Sequence, residues 1–137
     1  MTTGTLVDSN VLLDIFTEDA VWLEWSSTAL SAAAEDGPLV INPIVYAEVS
    51  VRFTRIEDLD DALAPEDFRR APLPWTAGFL AGKAFLAYRR NRGTAPTPLP
   101  DLYIGAHAAV DDLALLTRDP SRYRTYFPRV QLRGPDS

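Results

Sequence analysis

The side chains in this sequence best suited to chemistry are carboxylates. Asp8 follows the β-prone run Thr5-Leu6-Val7, and Asp119 lies just past the strand-like Leu113-Ala114-Leu115-Leu116-Thr117. Asp101 stands in the first turn of a helix opened by Pro100, and Glu48 lies roughly one to two turns into a helix opened by Asn42-Pro43. Taken singly, each acid reads equally well as a helix cap or a solvated charge. Brought together they mean more. Two carboxylates about 5 Å apart repel by roughly 3 kcal/mol at an effective dielectric of about 20, and four multiply that pairwise cost. Such a cluster requires a cation or abnormal protonation. With no Cys and one His in the sequence, an all-oxygen ligand set selects a hard ion, Mg²⁺ or Mn²⁺, over zinc or copper. The chemistry that follows is phosphodiester hydrolysis. There a metal ion lowers the pKa of a bound water, holds the phosphate and stabilises the leaving oxygen, so no His base is required.

The elements that must position these acids can be read along the chain. After the first strand, Val11, Leu12, Ile15 and Phe16 recur at helical spacing, and residues 20–36 form a second helix with Trp22, Trp25, Ala29, Ala32 and Ala33 on one stripe, ended by Gly37-Pro38. Leu39-Val40-Ile41 is a strand apolar on both faces. Asn42 caps the next helix and Pro43 occupies its first position, the helix running to about Phe53. A helical segment over 56–64, a break at Ala71-Pro72-Leu73-Pro74 and a long helix from Trp75 to Arg90 follow. The Pro- and Thr-rich loop 93–98 leads to the helix from Pro100 to about Val110, then to the 113–117 strand and a weak last strand over 130–132. Short apolar strands separated by helices indicate a doubly wound α/β fold, a parallel sheet covered on both sides. Ligands then sit beyond the carboxyl ends of the strands. Asp8 and Asp119 lie on that rim, and helix side chains lean toward the N-terminus, so Asp101 and Glu48 can aim there too.

Length and composition set the frame. At 137 residues and 15.1 kDa the chain matches one domain, 1–137, with one core and about two-thirds of its surface buried. The absence of Cys excludes a disulfide scaffold, an iron–sulfur cluster and a thiol nucleophile, and leaves a reducing compartment as the default. No apolar run is long enough to cross a bilayer and the start lacks a secretory pattern, so a cytoplasmic protein with no membrane partner is expected. The net charge of −6 argues against a cationic coat for nucleic acid, but the charge is polarised. Residues 1–51 hold eight acids and no Lys or Arg, whereas residues 89–137 hold eight Arg against five acids. Twelve of the thirteen basic residues are Arg, which favours planar, bidentate contact with phosphate or carboxylate.

Near the acids, Ser9 and Asn10 read as caps of the first helix, with a supporting hydrogen bond to the site as the functional option. Asp14 reads as solvated or as an ion-pair partner. His107 follows Asp101 by six residues, about 240° round the helix, and so points away from the site toward packing or surface. Trp75 reads as core.

At these residues the chain resembles the PIN-domain ribonucleases, and specifically the VapC toxins of VapBC toxin–antitoxin pairs. Val7-Asp8-Ser9-Asn10-Val11-Leu12-Leu13-Asp14 is similar to the family's opening strand, and Asn42-Pro43-Ile44-Val45-Tyr46-Ala47-Glu48 to its second segment. Leu99 to Ala108 resembles the helix of the third acid, and Leu115 to Tyr123 the closing motif. The resemblance carries the four acids over as Asp8, Glu48, Asp101 and Asp119. It implies a PIN-like three-layer α/β/α fold around a four- to five-stranded parallel sheet, a Mg²⁺ or Mn²⁺ site, and endoribonuclease activity on tRNA or ribosomal RNA. It also implies a homodimer and a small VapB-like antitoxin whose C-terminal segment blocks the site. Within it, Thr117 supports the metal shell, and Arg118, Arg122, Arg89, Arg90 and Arg92 are candidates to touch the RNA backbone. Trp22 and Trp25 are candidates for the groove that receives an antitoxin helix.

Two alternatives are weaker. A phosphohydrolase with Asp8 as covalent nucleophile would want a second Asp at position 10, where Asn10 stands, and no GxxxxGK phosphate loop is present. A catalytically idle PIN fold that only binds RNA or protein sits poorly with acids at all four positions. Metal-dependent cleavage separates these readings.

Overall fold

Residues 2–135, the part of the chain that the computed structural model describes, alternate strand and helix nearly throughout. In order they form β1 (Thr5–Val7), α1 (Ser9–Phe16), α2 (Leu23–Asp36), β2 (Leu39–Ile41), α3 (Pro43–Ser50), α4 (Ile56–Ala62), β3 (Arg69–Arg70), α5 (Trp75–Arg90), α6 (Pro100–Val110), β4 (Ala114–Leu116), α7 (Ser121–Tyr126) and β5 (Leu132–Arg133). The five strands make one sheet in the order β3-β2-β1-β4-β5, and every pairing is parallel. Thr5 lies opposite Leu39 on one side and Ala114 on the other, which fixes the register of the three central strands. All residues of β1, β2 and β4 are buried, as a sheet covered on both faces requires.

The strand order locates the crevice. From β1 the chain winds outward through β2 and β3, then returns by α5 and α6 to place β4 on the other flank of β1. The carboxyl ends of β1 and β4 therefore flank the switch in winding direction, where open α/β sheets bind ligands. Asp8 begins at one of these ends and Thr117 at the other.

Local chemistry sets the helix starts. Asn42 accepts the Val45 N–H at 2.9 Å and Pro43 follows in the first turn, so α3 begins at the end of β2. In α6 the run Ile104 to Ala108 is entirely buried. Gly105 lies within it, and a Cβ there would fall 2.4 Å from the Phe127 ring and 3.0 Å from that of Tyr123. The missing side chain lets α7 close onto α6.

The sheet and its covering helices agree with the doubly wound reading, with differences at the edges. Residues 20–22 are not helical, because the Asp19 carboxylate accepts the N–H groups of Val21 and Trp22 in a turn and α2 starts only at Leu23. α3 stops at Ser50 instead of Phe53. β3 and α7 were not expected: the first is a two-residue exposed edge strand of arginines and the second a short polar helix. Trp75 is not core. It is 96% exposed, because Ala77, Ala81 and Ala84 form the buried face of α5 and Trp75, Phe79 and Leu86 lie opposite.

Candidate active site

Asp8 is placed by the sheet itself. Its N–H donates to Leu116 O at 2.8 Å, continuing the β1–β4 pairing one residue beyond the strand. Its side chain then turns to cap α1, with Oδ1 accepting the Ser9 N–H at 2.8 Å. Asp8 is thus the cap, and the capping role read for Ser9 and Asn10 is corrected. The Ser9 hydroxyl donates instead to Glu48 Oε1 at 2.9 Å. Asn10 Nδ2 reaches Thr117 Oγ1 at 3.2 Å and Asp119 Oδ2 at 3.5 Å, while its Oδ1 accepts the Arg118 N–H at 3.3 Å. The hydroxyls of Thr117 and Tyr123 both donate to Asp8 Oδ2 at 2.9 Å.

The other acids arrive from separate elements. Glu48 comes from α3 and Asp101 from the first turn of α6. Asp101 Oδ2 accepts Arg122 Nη1 at 2.9 Å, whereas its Oδ1 is buried without a hydrogen-bond partner. Asp119 follows β4, its N–H donating to Thr117 Oγ1 at 3.1 Å. Asp8, Glu48, Asp101 and Asp119 line one cavity of about 290 Å³, with Ser9, Asn10, Arg122 and Tyr123 between them.

This cavity is electrostatically strained. Burial pushes the Asp8 carboxyl above the usual range, against the Thr117, Tyr123 and Ser9 donors that pull it down, and the charge of Asp101 adds to the rise. Burial likewise raises Glu48, with Asp8 and Asp101 adding repulsion and Ser9 opposing. The Tyr123 phenol is driven upward by burial and by its carboxylate neighbours, so it remains a donor. Oxygen-only donors, raised carboxyls and the orphaned Asp101 Oδ1 suit a hard divalent cation. Among the described residues, however, no three acids stand grouped as a ready cage. Each is turned to a protein donor: Glu48 to Ser9, Asp101 to Arg122, and Asp119 to Asn10.

The remaining candidates fall in several places. His107 faces away from the cavity, fully buried, with Nδ1 against Asn42 and Nε2 against Asp111; burial lowers its pKa, while Asp111 opposes the shift. Asp14 is the ion-pair partner of the two readings and not a solvated charge: buried, its Oδ2 accepts Arg118 Nε and the Ser26 hydroxyl, each at 2.8 Å. Arg118 is thereby tied down, and its guanidinium lies 5.5 Å from the Trp22 ring centre. Arg122 lies 5.5 Å from the Tyr88 ring centre while it pairs with Asp101. Arg89 reaches Ala95 O at 3.0 Å, and Arg90 and Arg92 are exposed. Trp22 and Trp25 meet edge to face at 5.8 Å, with Trp25 packed on the core. Tyr123 carried no role in the sequence reading. Its signals there were its place at the end of the closing segment Leu115 to Tyr123 and four residues after Asp119, a stretch that α7 turns back toward the cavity.

Fold and site together define a class: a parallel α/β domain with a carboxylate-lined cavity, free of thiol and imidazole, at its topological switch point. The chain belongs to the PIN domain family, whose model matches residues 5–128. Solved structures share the fold. VapBC-1 from nontypeable Haemophilus influenzae aligns at 16% identity with a TM-score of 0.71, covering 97% of this chain and 98% of that one. VapBC2 from Rickettsia felis, bound to a DNA fragment from its promoter, aligns at 16% identity and 0.70, covering 95% and 97%. FitAcB from Neisseria gonorrhoeae aligns at 17% identity and 0.69, covering 93% and 95%. No curated protein sequence matches the chain.

Proposed function

We propose that this chain is a Mg²⁺- or Mn²⁺-dependent endoribonuclease, the toxin of a type II toxin–antitoxin pair, cleaving structured cellular RNA such as tRNA or rRNA. The observation that carries this reading is the convergence of Asp8, Glu48, Asp101 and Asp119 on one cavity from four separate elements. These acids would hold the cation, which when bound supplies an activated water and charge stabilisation for phosphodiester hydrolysis. Ser9, Asn10 and Thr117 keep the acids oriented through the hydrogen bonds described above. The exposed Arg90 and Arg92 are free to meet phosphate, and Arg122 lies inside the cavity; Arg122, Arg89 and Arg118 would have to give up contacts, Arg122 its bond to Asp101, to take part. The structural relatives are complexes named for paired components, which supports a small antitoxin partner. Trp22, Trp25 and the neighbouring Val21, 78% exposed, offer the apolar face for it. The stripe of Trp75, Phe79 and Leu86 on α5 offers another, for a homodimer. Among the described residues no helix is long and apolar enough to cross a membrane.

The test is direct. Purified protein should cut some structured RNA in Mg²⁺ or Mn²⁺ and lose the activity with EDTA or with Asp8→Asn. Cleavage that survives both would sink the proposal, and binding of RNA without any cleavage would leave the idle PIN reading in its place. Sequencing the 5′ ends of RNA fragments after induced expression would identify the target.

A further inference from the structure

The hydrogen bonds to Asp8 fall unevenly on its two oxygens. Oδ2 accepts the hydroxyls of Thr117 and Tyr123, each at 2.9 Å, with Asn10 Nδ2 a looser third at 3.5 Å. Oδ1 accepts one N–H, that of Ser9. Each carboxylate oxygen has about two lone-pair sites, so Oδ2 is filled and Oδ1 keeps one open. Neither hydroxyl is free to leave. Thr117 is fully buried, and its oxygen also accepts Asn10 Nδ2 and the Asp119 N–H. Tyr123 is 2% exposed, its ring set against Gly105 of α6.

We propose that Tyr123, together with Thr117, sets which cation the cavity accepts by reserving Oδ2 of Asp8 for the protein and leaving Oδ1 as the single ligand oxygen. The inference rests on the reading of the cavity as a cation site. Mg²⁺ demands near-octahedral geometry, whereas Ca²⁺ takes six to eight oxygens and accepts both oxygens of one carboxylate. An acid that offers one oxygen favours the smaller ion; releasing Oδ2 opens the two-oxygen mode that suits Ca²⁺. Tyr123 acts through Asp8 and is a positioning residue.

Selectivity, which a purely structural role would leave alone, is the quantity to measure. Mn²⁺ bound to the purified protein is displaced by Mg²⁺ and, separately, by Ca²⁺, with the EPR signal of the released ion as readout. Tyr123→Phe keeps the ring against Gly105 and removes only the hydroxyl. Its affinity for Mg²⁺ should fall about 10-fold, the low end for loss of a ligand's supporting hydrogen bond. Ca²⁺ affinity should hold or rise, so the preference for Mg²⁺ narrows at least as much. Thr117→Val should narrow it in the same way and Thr117→Ser should preserve it, and this pair decides the matter if Tyr123→Phe does not fold. An unchanged preference in Tyr123→Phe, or in Thr117→Val where that pair decides, overturns the inference alone. A wild-type protein that binds no Mn²⁺ overturns the cation site and the inference with it.

Discussion

Asn42 and His107, both buried, meet at 2.9 Å and join the start of α3 to the last turn of α6. Asn42 Nδ2 donates to His107 Nδ1, while Asn42 Oδ1 accepts the Val45 N–H. One tautomer satisfies every group, with the proton on Nε2 donating to Asp111 Oδ2 at 2.9 Å. The two helices joined in this way carry Glu48 and Asp101, so a residue facing away from the cavity holds two of its walls in register.

That contact predicts a measurable cost. His107→Leu leaves Asn42 Nδ2 buried without an acceptor and should destabilise the protein by about 1–3 kcal/mol in urea unfolding. It should also change the pH dependence. Burial holds the His107 pKa below its ordinary 6.5, so the folded state binds fewer protons there than the unfolded chain. Its contribution is fully present above that ordinary value and is lost as pH falls through the folded one. Wild-type stability should therefore decline on acidification below 6.5 more steeply than that of the variant; matching slopes would contradict this.

Asp8 predicts the opposite sign. Its folded pKa is raised, so at neutral pH the ionised carboxylate works against folding, and the burden lifts as pH drops toward the folded value. Asp8→Asn, melted in EDTA, should be more stable than wild type by about 1 kcal/mol at pH 7. That advantage should shrink in acid. The same variant should lose RNA cleavage. A lower melting temperature at pH 7 would show that the hydroxyls of Thr117 and Tyr123 more than offset the desolvation.

The Asp14–Arg118 pair predicts an asymmetry. Arg118→Met leaves the Asp14 carboxylate buried with only the Ser26 hydroxyl, and since Arg118 is 27% exposed, the loss should be about 2 kcal/mol, below that of a fully buried pair. Asp14→Asn keeps an acceptor for the Ser26 hydroxyl and leaves the Arg118 charge, which is part-exposed and reaches water, so it should cost about 1 kcal/mol. Equal losses by chemical denaturation would argue that water reaches Asp14 freely.

Two glycines should respond in opposite directions. Gly105→Ala drives a methyl into the Phe127 ring at 2.4 Å and should cost about 1–3 kcal/mol through overpacking. Gly82→Ala meets nothing within 4 Å on the open side of α5 and should stabilise by about 0.5–1 kcal/mol through helix propensity. Thermal melts of the two variants check both signs.

The parallel sheet was legible because Leu6, Val40 and Leu115 sit in short runs apolar on both faces, and only a doubly covered sheet buries both. The acids were legible because each stands where a strand ends or a helix begins. Tyr123 was not, since its bond to Asp8 spans 115 residues and depends on how α7 packs against Gly105. Of the two readings open for Asp14, the ion pair holds and the solvated charge does not, and the choice was hidden for a similar reason: Ser26 and Arg118, which make its burial tolerable, come from α2 and the β4–α7 loop. Trp75 misled by type, because an indole at a helix start says nothing about which face the alanines will bury. β3 escaped notice because two arginines on an exposed edge carry no hydrophobic pattern.

Asp8 and Thr117 touch although they stand 109 positions apart in the chain, and β4 and α7 follow β1 only after nine and ten steps along the element order. No early fragment can assemble the cavity. On the proposed reading, a ribosome making this protein handles a harmless polypeptide until residues 117–123 have followed Asp8 out of the exit tunnel, and the cell has that interval in which to have an inhibitor waiting.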